Sequence, residues 1–282
     1  MEFTTAVAVY GKLDMPALSV LWTLVLLLGL LPTAAVLGWW LGRTRRRQRL
    51  EAGLEIDMVV GETTLGAILA ILGLLLAFSF GNALNFFEVK KSRLVDESAA
   101  IGTAFLRADY LTDPARTELQ VALLDYAETR VVPRNSGIES SESALAFLDR
   151  TLQAQAKLWP LTLEATADPT PPAIKTFVAG AMNEVIDLHL YRVVTIAEPV
   201  SDFAYAMMLA TALAALFLLG DRAGMLGRAL TWRTFVLSGF LTVVMITIVD
   251  LQRSNAGLIV IDQTPINATI FDMRAALDGR LP

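Results

Sequence analysis

Few side chains in this sequence are equipped for bond-making chemistry. There is one histidine, His189, and no cysteine. Disulfides, iron–sulfur clusters and thiolate nucleophiles are thereby excluded, and a zinc site of His and Cys ligands has no ligand set. A Ser–His–Asp triad would have to use His189, yet no serine stands in a G-x-S-x-G context. The run Gly220–Asp221–Arg222–Ala223–Gly224 lacks the Gly-Lys-Ser/Thr ending of a phosphate loop. His189 lies close to Asp187 and Tyr191 and reads as a packed or solvated histidine, with pH sensing as the sharper option. Neither an enzyme nor a bound cofactor or metal is expected. The formal net charge of −5 argues against a nucleic-acid partner.

Two classes remain, a passage for ions and a non-conducting sensor or scaffold. In a channel reading, Leu75 and Phe78 of the second apolar stretch would form apolar rings, and Asn82 and Asn85 a wider polar mouth beyond them. An apolar constriction of this kind gates by dewetting. The competing reading is that Leu75 and Phe78 simply face lipid or a neighbouring helix. Glu88 and Glu97 follow on the same segment and would attract cations if they lined a vestibule. No ionisable residue lies well inside any apolar stretch. Glu62, Asp202 and Asp250 sit only at the edges. Proton-coupled pumps and voltage sensors need charges deeper than that.

The elements that must position these residues are membrane helices. The composition is 55% hydrophobic and 18% charged, against about 25% charged in a soluble domain. Residues 15–42, 63–87, 203–220 and 234–249 contain no Asp, Glu, Lys or Arg. Each is close to the roughly 20 residues a helix needs to cross a bilayer. The expected fold is therefore an all-α integral membrane protein with four transmembrane helices and a helical insert between spans two and three. Its boundaries are a lead and two spans over 1–87, the insert over 88–200, two further spans over 201–251 and a tail over 252–282.

The second span carries a stripe of small residues, Gly66, Ala70, Gly73, Ala77 and Gly81, spaced for one helical face. Such a stripe lets membrane helices approach closely. Ala206, Ala210 and Ala214 repeat the theme in the third span. In the first span, Pro16 is expected in the opening turn and Pro32 at a kink. This second helix is expected to continue to about Leu111, with Gly102 inside it at a close packing contact or a bend. Insert helices follow: one capped by Asp113 with Pro114 in its first turn, one from Ser140 or Ser141 to near Trp159–Pro160, and one over about 173–198. Pro133–Ser141 reads as a loop, and Pro199 as punctuation before the third span. The tail has a strand-like run, Leu258–Ile261, then a short helix with Thr264 as cap and Pro265 in its first turn.

Orientation follows from the basic residues. Arg43, Arg45, Arg46, Arg47 and Arg49 follow the first span, and Arg222, Arg228 and Arg233 join spans three and four. Fewer basic residues flank the spans on the other side, among them Lys12 and the tail's Arg253, Arg274 and Arg280. The positive-inside rule puts the two short loops in the cytoplasm of a bacterial inner-membrane protein. The N-terminus, the insert and the C-terminus then lie outside it. The five-arginine cluster reads as a membrane-flanking stop, with an anionic-lipid site as the alternative.

Two blocks resemble the bacterial bestrophin-like family. The first is Phe78–Ser79–Phe80, Phe87–Glu88, Lys90–Lys91 and Glu97 through Arg107, with its Ile101–Gly102–Thr103–Ala104 core. The second is Asp250–Leu251–Gln252–Arg253, Gly257–Leu258–Ile259–Val260 and Gln263–Thr264–Pro265. Ala99, Phe86 and Ser254 stand where the family usually has Asn, Arg and Pro. A site built on that Asn and Arg would be altered here. The resemblance implies a homo-oligomer, a pentamer by analogy with true bestrophins. It also implies passage of inorganic ions along the second span and an insert facing the cytosol, opposite to the basic-residue reading. The surplus of carboxylates in the insert, 16 of 28, makes cations the expected ion. A non-conducting sensor or scaffold, whose insert binds a partner or ligand, is the alternative.

Overall fold

A computed structural model describes residues 19–56, 59–132, 141–197, 202–253 and 258–279. Pro16, the 133–140 loop, Pro199 and Ser254 lie outside these, as do Lys12 and Arg280. Eight α-helices are present among the described residues, and no strand. They are α1 (Val20–Glu51), α2 (Glu62–Arg107), α3 (Ala115–Thr129), α4 (Ser141–Ala165), α5 (Pro172–Ala197), α6 (Asp202–Met225), α7 (Trp232–Arg253) and α8 (Thr264–Asp278). Four of them, α1, α2, α6 and α7, are long and apolar enough to cross a membrane. The chain divides into two compact units, one holding α1, α2 up to Phe86, α6 and α7, the other holding the rest of α2 with α3, α4, α5 and α8.

In the first unit α1 begins where Ser19 accepts a hydrogen bond from the Trp22 backbone N–H, the usual work of an N-cap serine. It runs unbroken through Pro32 and on through the arginine cluster to Glu51. Its buried line is Leu27, Leu31, Ala35, Gly38 and Gly42. This line meets α6, which runs parallel to it. A β-carbon on Gly38 would fall 2.0 Å from the Phe217 carbonyl oxygen, and one on Gly220 would fall 2.0 Å from that of Ala35. Gly42 and Gly224 meet the Asp221 and Trp39 carbonyls in the same way. Two small-xxx-small pairs, Gly38/Gly42 and Gly220/Gly224, thus interlock backbone to backbone. Lipid tails are as apolar as leucine, so membrane helices associate through such close van der Waals contact rather than through burial from water.

The run Gly220–Gly224, unsuited to phosphate, is therefore a helix-packing motif. The expected alanine stripe on α6 is not the packed one. Ala206, Ala210 and Ala214 are exposed, while Met208, Ala212, Ala215 and Leu216 are buried.

At the paired C-terminal ends of α1 and α6, Trp39 Nε1 donates to the Arg228 carbonyl at 2.8 Å. Arg46 donates to the Met225 carbonyl at 3.1 Å, one of the orphan carbonyls a helix end leaves open. Gly227 turns the chain there at φ +72°. The Arg46 guanidinium packs where its side chain would be.

The second unit has a core of side chains from all its helices. Leu94, Ile101, Ala104 and Phe105 come from α2, Leu119, Leu123 and Tyr126 from α3, Leu158 from α4, Met182 and Val185 from α5, and Ile266 and Ile270 from α8. Helix α2 ends near the expected position, tightening to a 3-10 turn at Ala108–Tyr110. Gly102 lies against α8, with a β-carbon there 3.4 Å from Thr269 Cγ2.

Four local expectations are corrected. Pro114 rather than Asp113 stands at the N-cap of α3, whose first residue is Ala115. Helix α4 passes through Pro160 to Ala165. Its apolar face continues through Leu158, Leu161 and Ala165 into the core, and that packing outweighs a penalty of about 3 kcal/mol for an internal proline. Leu258–Ile261 forms no strand; Ile261 is instead buried in the core. Thr264 is the first residue of α8 rather than its cap, and both its N–H and its hydroxyl donate to Asp262.

Candidate functional site

The membrane part of α2 presents three faces. At about 100° per residue, Leu72, Leu76 and Ala83 fall on one line, and these three are buried in the chain. The small-residue stripe lies to one side of that line. Gly66, Ala70, Gly73, Ala77 and Gly81 are all exposed. A β-carbon at any of the three glycines would meet nothing within 4 Å. The third face carries the expected constriction and mouth. Leu75 is half-buried beside the Leu72 line, Phe78 is 71% exposed, and Asn82 and Asn85 are exposed. Of the four long apolar helices, α2 has its apolar stretch least buried within the protomer. Between Glu62 and Glu88 it holds no ionisable side chain. Glu88 itself is exposed and 3.8 Å from Lys91.

Glu97 has different surroundings. It is fully buried, and two guanidinium groups hold it. Arg130 Nε lies 2.7 Å from Oε1 and Arg192 Nη1 lies 2.6 Å from Oε2. The Tyr126 hydroxyl donates to Oε1 at 3.1 Å. Tyr126 has one proton and gives it to Glu97, so His189 Nδ1, 3.2 Å from the hydroxyl oxygen, must carry the proton of that second bond. This leaves His189 Nε2 as a lone-pair acceptor, buried and without a hydrogen-bond partner among the described residues.

The charges of this cluster follow from its surroundings. Burial, reinforced by the Arg130 guanidinium, pushes His189 down to about 3, so it is neutral. Burial also pushes the Tyr126 phenol up. One carboxylate then faces two arginines, and the interior of the second unit keeps a formal charge of +1. Charge-assisted and bidentate bonds make such a cluster rigid. Removing Glu97 would strand both buried guanidinium groups.

Sequence reasoning singled out Glu97 and His189 but not the residues that join them. A signal was present. Leu119, Leu123 and Tyr126 share one stripe of α3, which Arg130 extends at the C-cap, and Met182, Val185, His189 and Arg192 share one stripe of α5. Arg130 at the end of α3 and Arg192 near the end of α5 both sit in register with the core face. Of the family departures, Ala99 is exposed and Phe86 half-buried.

Four spanning helices, a helical insert and a second span free of internal charge define an α-helical integral membrane protein. The bestrophin-like domain matches residues 20–266. The chain belongs to the bestrophin-like family.

Its fold is shared by two single-substitution variants of a bacterial bestrophin homologue from Klebsiella pneumoniae. One matches with TM-score 0.60 at 14% identity, over 89% of this chain and 97% of the other. The other matches with TM-score 0.57 at 14% identity, over 92% and 98%. A structure described as a variant membrane protein matches with TM-score 0.58 at 15% identity, over 92% and 97%. Among curated proteins, none matches the chain.

Proposed function

We propose that the protein is a passive ion channel of a bacterial inner membrane, assembled as a homo-oligomer whose α2 helices surround the pore. One observation carries this reading. The membrane part of α2 turns both its small-residue stripe and its Phe78–Asn82–Asn85 face away from its own chain. A symmetric ring gives each face an occupant. The stripe Gly66–Ala70–Gly73–Ala77–Gly81 packs against the neighbouring copy, and Leu75, Phe78, Asn82 and Asn85 face the axis. Membership of the bestrophin-like family supports the same arrangement.

The vestibule now rests on Glu88 rather than on Glu97. An exposed Glu88 ring favours cations, whereas the Glu97 charge is already met by Arg130 and Arg192 inside the protomer. In orientation, the N-terminus, the insert and the C-terminus lie outside the cytoplasm.

Purified protein in liposomes tests the reading. Ion flux is expected, and Leu75→Asp or Phe78→Trp changes its rate. A well-formed oligomer that passes no ion under any gradient or pH overturns it.

A further inference from the structure

The paired helices α1 and α6 leave an open-sided apolar groove on the outer face of their unit. Leu30, Ala34 and Leu37 line it from α1, and Ala214, Phe217 and Leu218 from α6. Its cavity volume is about 510 Å³, within the range of ligand-holding clefts. Its walls are almost wholly hydrocarbon.

The same face of α1 continues past Leu37 to Thr44, Arg45 and Gln48. Arg45 stands roughly 12 Å beyond Leu37 along the helix. Its side chain is 54% exposed, with the buried Asp221 carboxylate at 3.4 Å on one side.

Around Arg45 the charge is strongly one-sided. Arg43, Arg45, Arg46, Arg47 and Arg49 crowd the end of α1, with Glu51, Glu55 and Asp221 nearby and Glu62 paired to Arg222, the neighbour of Asp221. Arg46 donates to the Met225 backbone carbonyl, which orients it without cancelling its charge, and Arg49 donates to the Glu55 carbonyl. Arg43 lies over the Trp39 ring, and Arg47 is exposed. Trp40, 61% exposed one turn below Arg43–Arg47, has the amphipathic ring typical of the headgroup level.

We propose that this groove holds one anionic glycerophospholipid. An acyl chain lies along Leu30–Leu37 and Ala214–Leu218, and the phosphate sits at Arg45 within the field of the surrounding arginines. Guanidinium matches phosphate oxygens bidentately. A choline headgroup brings its own cation into that field, so phosphatidylglycerol is preferred over phosphatidylcholine. This site is independent of whether the protein conducts.

The test uses the full chain in mild detergent. Phosphatidylglycerol and phosphatidylcholine of identical acyl chains are titrated, and bound lipid is counted by native mass spectrometry. Wild type should prefer phosphatidylglycerol at least tenfold. Arg45→Gln should bring the preference close to one. That change also strips Asp221 of its partner, so Arg43→Gln/Arg47→Gln serves as a second arm that touches no buried group. It should lower the preference at least threefold while leaving the lipid-free melting temperature unchanged. Ala214→Phe, which fills the groove, should weaken both lipids. Glycerol 3-phosphate, the headgroup chemistry without a chain, should not compete. Equal binding of the two lipids to wild type overturns the proposal. So does phosphatidylglycerol binding that survives both charge changes, or a groove filled without loss. Competition by glycerol 3-phosphate at lipid-like concentrations would identify a plain anion site and overturn it too.

Discussion

A β-carbon on Gly42 would stand 2.2 Å from the carbonyl oxygen of Asp221. The obstacle is backbone, which cannot swing aside as a flexible side chain would. We therefore expect Gly42→Leu and Gly220→Leu to force α1 and α6 apart, at a cost of about 3 kcal/mol or more. Thermal unfolding in detergent should show the loss directly. Gly29→Ala, where nothing lies within 4 Å, is the control and should be neutral or stabilising by up to about 1 kcal/mol.

Gly73 separates folding from assembly. Its site is open within the protomer, so Gly73→Leu should leave the melting temperature of the isolated chain unchanged. If the stripe packs copies together, the same change should shift the oligomer toward monomer in sedimentation or native mass spectrometry. An oligomer of unaltered size would remove the stripe from the interface.

Glu97 and Glu88 should give opposite results. Glu97→Gln leaves Arg130 and Arg192 buried against a neutral amide and should cost about 3–5 kcal/mol. Glu88→Gln removes an exposed carboxylate and should be near neutral for stability, within about 1 kcal/mol. In liposomes the order reverses. Glu88→Gln should reduce cation preference, whereas a stabilised Glu97→Gln preparation should keep it.

His189 gives stability a defined pH dependence. Its folded pKa is about 3, against an ordinary value of 6.5. Between those limits the unfolded chain takes up a proton that the folded chain refuses. The contribution is therefore present above pH 6.5 and is lost progressively as pH falls toward 3. The readout is the slope of unfolding free energy between pH 6 and 4. His189→Gln should flatten it by up to about 1.4 kcal/mol per pH unit. An unchanged slope would mean that His189 protonates in the folded chain.

Orientation can be read from one thiol, because the chain has no cysteine. Ala167 is exposed in the turn between α4 and α5. Ala167→Cys should react with an impermeant maleimide on intact spheroplasts. Reaction only after lysis would place the insert in the cytoplasm.

The spans were legible because charge-free runs of bilayer length have few other uses in a folded chain. The continuation of α2 to Arg107 was also legible, from the lack of helix breakers before Gly102. The packing partners were not. Gly66–Gly81 and Gly220–Gly224 are equally good small-residue patterns, yet only the second meets a helix of its own chain. The difference lies in which face the fold turns inward, and a sequence does not state that. Glu97 was found, but its surroundings were not. Nothing local distinguishes a carboxylate lining a vestibule from one enclosed by arginines 33 and 95 residues away.

The α1–α6 glycine contact also sets an order of events. The groove of Gly38 and Gly42 is complete once α1 has emerged from the ribosome, but its partner ends at Met225. At 5–20 residues per second, the intervening chain takes roughly 10–40 s to synthesise. Through that interval α1 is held in the bilayer by hydrophobicity alone, with its notched face turned to lipid. A second small-faced helix arriving first, from this chain or another, would compete for the same notch. The membrane unit is thus open to mispairing during biogenesis until translation has passed Met225.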